Sequence, residues 1–139
     1  MDSSLREPIQ SIKKSGVFPM MMMMTESMTA EMQACMKACM DCQKMCMETM
    51  TYCMSKGGKY MDMSMMGMMR DCAEMCMMCM NMMMGGSEFM GRTCMLCAEM
   101  CDRMAMACEQ MSDDQMMMDC AMACRKCAES CRSMQMMPA

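Results

Sequence analysis

The chain has no histidine and no tryptophan among its 139 residues. Without histidine, His-based nucleophile triads, His-x-Glu deaminase centres and His-rich catalytic zinc sites are excluded. The usual apolar residues are nearly missing too: two Leu, two Ile, one Val and two Phe, five of these seven before position 19. Basic residues are too few for a nucleic-acid surface. Thirteen Lys and Arg against seventeen Asp and Glu leave a net charge of −4, where nucleic-acid binding needs a basic stripe. No stretch of about 18 residues is free of charged and polar groups, so no membrane span is expected. Proline is absent between Pro19 and Pro138, so nothing in that interval must break a helix.

What the chain does have is sulfur, with 40 Met and 16 Cys. A cysteine share above roughly 8–10% in a short secreted chain normally marks a disulfide scaffold. Here the first nineteen residues carry Arg6, Glu7, Lys13 and Lys14, with no apolar signal core and no small-residue cleavage site. A reducing, cytosolic compartment is therefore expected, and many thiols there point to metal rather than disulfides.

Residues 1–24 differ from the rest and are expected to form an N-terminal arm. Leu5, Ile9 and Ile12 are spaced for a short amphipathic helix that Gly16 and Pro19 would break, and Met20 to Met24 show no periodicity. From Thr25 on, turn signals cut the chain into four segments of helical length. Gly57-Gly58 closes the first, Gly85-Gly86-Ser87 separates the second from the third, and Ser112-Asp113-Asp114 separates the third from the fourth. Ser112 followed by Gln115 has the form of a capping box. Met, Ala, Lys, Glu and Gln dominate these segments and favour helix. The spacing predicts helices over about 26–56, 60–84, 88–111 and 113–135, within a bundle of residues 25–137. Short loops make neighbouring helices antiparallel. The fold class is all-α: an up-down-up-down four-helix bundle.

The cysteines fix which side of each helix faces inward. The first segment has Cys35, Cys39, Cys42, Cys46 and Cys53; the second has Cys72, Cys76 and Cys79. The third has Cys94, Cys97, Cys101 and Cys108; the fourth has Cys120, Cys124, Cys127 and Cys131. Every interval is a 3, a 4 or a 7, so each set forms one stripe on its helix. On the opposite face of the first helix run Lys37, Asp41, Lys44, Glu48, Thr51 and Ser55. Lys37–Asp41, Lys44–Glu48, Arg70–Glu74, Glu99–Arg103 and Arg125–Glu129 are opposite charges at i,i+4, as on solvated faces. Charges thus lie outside and thiols line the axis.

A buried cysteine is ordinarily a small hydrophobe. Sixteen in register, with Leu and Val almost absent, call for a metal reading instead. The pieces Cys39–Cys42, Cys76–Cys79, Cys94–Cys97 and Cys124–Cys127 are CxxC half-sites, but zinc ribbons place these on tight turns and not within helices. A divalent ion on four thiolates also leaves −2, and no Lys or Arg shares the stripe to neutralise it. One Cu(I) per thiolate is neutral, and soft sulfur ligands favour Cu(I). Zinc and iron–sulfur loading carry the charge problem and remain alternatives. So does a structural bundle with redox-active thiols. No general-base constellation is evident, so the chain is not expected to be an enzyme.

The stretches Asp71-Cys-Ala-Glu-Met-Cys76, Gly91-Arg-Thr-Cys94, Cys97-Ala-Glu-Met-Cys101 and Cys124-Arg-Lys-Cys-Ala-Glu-Ser-Cys131 resemble the bacterial copper storage proteins over about residues 28–134. That resemblance implies a four-helix bundle, often a homotetramer, storing many Cu(I) ions on core thiolates. Carried over position by position, it assigns all sixteen cysteines as ligands. Its implied partners are copper ions and a copper chaperone, with neither nucleic acid nor membrane. This sequence departs from the family in having Met where aliphatic residues are usual and no His near the bundle mouth. Its methionine content points to an engineered or unusually biased member.

The stripes continue outward as methionines. Met28, Met32, Met83, Met90 and Met134 fall at one end of an antiparallel bundle, and Met65, Met69, Met111 and Met117 at the other. The first set is a candidate thioether ring for passing Cu(I) to the thiolates. Packing is the competing account, and it is expected for Met36, Met40, Met47, Met50 and Met54 beside the first seam. A methionine-rich core loses up to about 1.5–2 kcal/mol of rotamer freedom per side chain. A loosely packed apo bundle is therefore expected, with metal supplying part of the folding free energy.

Overall fold

The computed structural model describes residues 29–135. The proposed arm (1–24), Met28 and the last residues of the expected bundle lie outside the described residues. Four α-helices follow one another: α1 (Ala30–Lys56), α2 (Met63–Gly85), α3 (Met90–Glu109) and α4 (Gln115–Gln135), with a 3-10 turn at Gly58–Met61 between α1 and α2. Each packs on two neighbours in the cycle α1–α2–α3–α4–α1. The result is an antiparallel four-helix bundle. No helix among the described residues is long and apolar enough to cross a membrane.

Local chemistry sets the helix ends. Thr29 caps α1 by accepting from the Met32 N–H at 3.1 Å. Gly57 stops α1 with φ +67° while its N–H returns to the Cys53 carbonyl. Gly86 is left-handed at the end of α2, where its N–H reaches the Met82 and Met83 carbonyls. Asp62 starts α2 by accepting from Ser64. The expected Ser112 capping box does not form the start of α4. Asp114 caps it instead, its Oδ1 accepting from the Met117 N–H at 3.2 Å. A carboxylate suits this position because it also serves partners in another loop, which a serine hydroxyl cannot match.

Those partners are two phenols. Tyr52 at the end of α1 and Tyr60 in the 3-10 turn both donate to Asp114 Oδ2, at 2.6 and 2.9 Å. Their rings meet edge to face, 5.9 Å apart at 85°. This clasp joins the α1–α2 turn to the start of α4 and closes one end of the bundle. At the other end lie the α2–α3 turn, the start of α1 and the end of α4.

The core is cysteine and alanine, and only secondarily methionine. All sixteen cysteines are fully buried. Ala38, Ala73, Ala98, Ala105, Ala121 and Ala128 are buried beside them, and such small side chains let helices approach closely. Six methionines among the described residues are buried: Met65, Met69, Met83, Met104, Met117 and Met134. The expectation of a methionine-filled core needs correcting. Met40, Met47 and Met54, read as packing beside the first seam, are about half exposed at 55%, 47% and 54%. Each directly follows a stripe cysteine (Cys39, Cys46 or Cys53), so the helix turns it about 100° away from the axis.

Charges lie outside as the periodicity requires. Lys37–Asp41 (2.9 Å), Lys44–Glu48 (4.0 Å) and Glu99–Arg103 (3.0 Å) form along single helices. Arg125 does not pair with Glu129. It reaches across to α3, bonding Asp102 at 3.2 Å and Glu109 at 2.6 Å, and Arg132 joins it on Asp102 at 2.5 Å. The inter-helix groove offers two carboxylates where the helix's own next turn offers one. These exposed pairs add specificity of docking more than stability.

Candidate metal centre

Each helix carries its cysteines to the axis because their spacing follows the helical turn. All sixteen are free thiols, and thirteen fall into five groups of four sulfurs lying within 4.8 Å of one another. The groups stack along the bundle. Cys35, Cys79, Cys94 and Cys131 lie nearest the α2–α3 turn, with one sulfur from each helix. Next come Cys39, Cys76, Cys97 and Cys127, and Cys39, Cys79, Cys97 and Cys131. Deeper still are Cys42, Cys76, Cys101 and Cys127, then Cys42, Cys46, Cys72 and Cys124.

The groups overlap. Cys39, Cys42, Cys76, Cys79, Cys97, Cys127 and Cys131 each belong to two. Close sulfur pairs cross the α2–α3 and α1–α4 interfaces: Cys79–Cys94 at 3.3 Å, Cys72–Cys101 at 3.6 Å, and Cys35–Cys131, Cys39–Cys127 and Cys42–Cys124 at 3.7 Å. Diagonal helices meet through sulfur as well, at Cys42–Cys101 (4.0 Å) and Cys76–Cys127 (3.8 Å). With a sulfur–metal bond of about 2.3 Å, these separations match the sulfur spacing of a three- or four-coordinate ion, and a near-linear two-coordinate ion needs its pair to part to about 4.6 Å. The cysteines form a continuous sulfur column and not a set of isolated tetrahedra.

Protons are unevenly placed on this column. Thiol donation from Cys101 draws Cys42, Cys97 and Cys72 below the usual thiol range. Cys131 does the same for Cys35, and Cys108 for Cys120. Cys131 itself is lowered to about 6, chiefly by Cys127. Cys79 is raised because its proton is held by Cys131 and its neighbours, and Cys101 is raised beside Cys127. Burial pushes Cys53 up. Lowered and raised thiols are thus intermixed along the column.

Charge decides which ion suits such a column. Threonines at 49 and 93 are the buried polar residues among those described, and no buried Lys or Arg is present among them. Their hydroxyls are already engaged: Thr49 donates to the Met45 carbonyl at 2.7 Å, and Thr93 to the Phe89 carbonyl at 2.9 Å. Divalent ions on four thiolates would therefore strand negative charge in a dry interior. Monovalent soft ions, near one per thiolate, leave none.

Three sequence-derived ligand candidates stand apart. Cys53, Cys108 and Cys120 are buried but belong to none of the four-sulfur groups. Of the methionines expected at the mouth, Met83 and Met134 are buried while Met32 and Met90 are half-buried against the core. At the clasped end Met65, Met69 and Met117 are buried and Met111 half-buried. Met104 was not anticipated. It fills the seven-residue gap between Cys101 and Cys108, and the gap itself was the available signal.

Residues 28–136 match the copper storage protein family. The fold is similar to a solved protein from Nitrosospira multiformis, with 40% identity and a TM-score of 0.70 over 76% of this chain and 94% of that one. It is also similar to the Cu(I)-bound copper storage protein BsCsp3, at 34% identity and TM-score 0.71 over 76% of this chain and 98% of that one. Apo copper storage protein 3 from Bacillus subtilis matches at 35% identity and TM-score 0.65, over 74% and 97%. No protein of curated function matches the chain.

Proposed function

The chain belongs to the copper storage protein family, and from that premise we propose that it stores many Cu(I) ions on the thiolates of its bundle axis. The single observation that carries this reading is the overlapping sulfur column in an interior with no buried cation. The proposed ligands are Cys35, Cys39, Cys42, Cys46, Cys53, Cys72, Cys76, Cys79, Cys94, Cys97, Cys101, Cys108, Cys120, Cys124, Cys127 and Cys131. Each Cu(I) displaces the proton of a thiol, so the ion's charge replaces the proton's and the column stays near neutral.

This reading places the protein in the cytosol, where thiols stay reduced. It makes the chain a reservoir and not an enzyme, supplied by a copper chaperone and assembled as a homo-oligomer, a tetramer by family resemblance. Residues 25–137 form the storing bundle and 1–24 an appended arm. Met32, Met83, Met90 and Met134, with Met28, serve the end away from the tyrosine clasp as neutral first ligands.

Anaerobic titration with Cu(I) against a competing chelator tests it. Tight uptake of about one ion per thiol supports storage. Saturation at three or four divalent ions would replace it with a zinc protein, and oxidation to disulfides without metal uptake would replace it with a redox bundle.

A further inference from the structure

At the clasped end the thiolate column stops and the donor set changes. α2 contributes only Met65 and Met69 to the buried stripe there, and α3 inserts Met104 before Cys108. α4 places Met117 one turn before Cys120. Met69, Met104 and Met117 are fully buried. Here one of the thiols that stand outside the four-sulfur groups meets a thioether. The Cys53 thiol donates to Met117 Sδ across 3.9 Å, from α1 to α4.

We propose that this end forms a second kind of Cu(I) site, with the Cys53 thiolate and the Met117 thioether as its ligand pair and Cys108 and Cys120 alongside. The proposal rests on the storage reading and adds a site of different chemistry to it. With a sulfur–metal bond of about 2.3 Å, a near-linear two-coordinate ion spans about 4.6 Å, which the Cys53 and Met117 side chains reach from 3.9 Å by a small rotation with neither helix moved. Charge favours the mixed pair. Two thiolates on one Cu(I) leave −1, whereas one thiolate and one thioether leave zero, and no cation is buried nearby to offset a deficit. On binding, the Cys53 S–H bond breaks, its proton goes to solvent and the sulfur pair bonds the ion; no electron is transferred. A neutral thioether holds Cu(I) less tightly than a thiolate, so this site fills after the column.

Packing alone would also bury Met117, and the test separates the two. The full chain is labelled with ¹³C at the methionine methyl groups and titrated anaerobically with Cu(I). The Met117 methyl signal is identified by its loss in Met117→Leu. It should hold its position while the column loads and move in the final equivalents, and Met117→Leu should lose about one ion from those final equivalents while staying helical. In Cys53→Ser the Met117 signal should no longer move. Copper uptake with the Met117 signal fixed throughout overturns the mixed site but leaves storage intact. Absence of any uptake overturns both.

Discussion

Cys76 on α2 and Cys127 on α4 sit on diagonally opposed helices, yet their sulfurs are 3.8 Å apart. Helices across a diagonal usually need large side chains to meet. Here the alanines beside the stripes draw the helices in until thiols close the axis. Cys76 and Cys127 share two of the four-sulfur groups with each other, so the pair is a crossing point of the column.

Removing a shared sulfur should therefore cost more capacity than removing a terminal one. Cys127→Ala is expected to lower bound Cu(I) by more than one ion, while Cys94→Ala, which enters one group, lowers it by one or less. Copper-to-protein ratios after gel filtration decide it, and equal losses would argue for independent sites.

Copper should stabilise the fold in steps. The ion binds the assembled column better than the unfolded chain, so each increment raises the unfolding free energy. The melting temperature followed by far-ultraviolet dichroism should climb with every added equivalent. A flat response would mean that the apo bundle is already as stable as the loaded one.

Uptake should release protons and weaken in acid. Cys53, Cys79 and Cys101 are all raised above the ordinary thiol range, hence protonated at neutral pH, and each must lose its proton to bind. Lowering the pH favours the protonated form and reduces apparent Cu(I) affinity. A weakly buffered titration with an indicator dye reads the protons directly.

The tyrosine clasp predicts a stability window. Tyr52 donation holds the Asp114 carboxyl below the usual carboxylate range, so its contribution is present above the unfolded carboxyl value and is lost as pH falls through the folded one. Asp114 in turn pushes Tyr52 up to about 12. Its contribution is complete below the ordinary phenol value and is lost as pH rises toward about 12. Tyr52→Phe should lower the melting temperature and shrink the alkaline limb to what Tyr60, also raised by Asp114, contributes, and coupling with Asp114→Asn in a double-mutant cycle should be non-zero.

The methionines expected at the mouth should govern rate and not capacity. Replacing Met28, Met32, Met83, Met90 and Met134 with Leu keeps volume and apolarity but removes the sulfur. Stopped-flow transfer from a Cu(I) chelate should slow while the final stoichiometry holds. An unchanged rate would assign these side chains to packing.

The cysteine stripes were legible because local periodicity suffices. Intervals of 3, 4 and 7 put Cys35 through Cys53 on one face whatever the neighbours, and the bundle then has one way to bury them. Glycines at 57 and 86 marked the helix ends for the same local reason. What the spacing concealed depends on partners distant in the chain. Arg125 had an acceptor one turn away in Glu129 but found two on α3. Tyr52 and Tyr60 carried no pattern, since the carboxylate that unites them comes from Asp114, more than fifty residues on. The methionines misled most. Helical propensity places them anywhere, and register separates them: Met104 continues the stripe between Cys101 and Cys108 and is buried, while Met40 directly follows Cys39 and is exposed.

Because adjacent sulfur groups share members, a stored ion would change partners by moving from one sulfur to the next without passing through solvent. The column is then a common pool and not a row of compartments. An ion withdrawn at the end away from the tyrosine clasp would be replaced from below, and the vacancy would travel inward. Supply to a receiver there would thus draw on all thirteen cysteines of the linked groups and not on the outermost four alone.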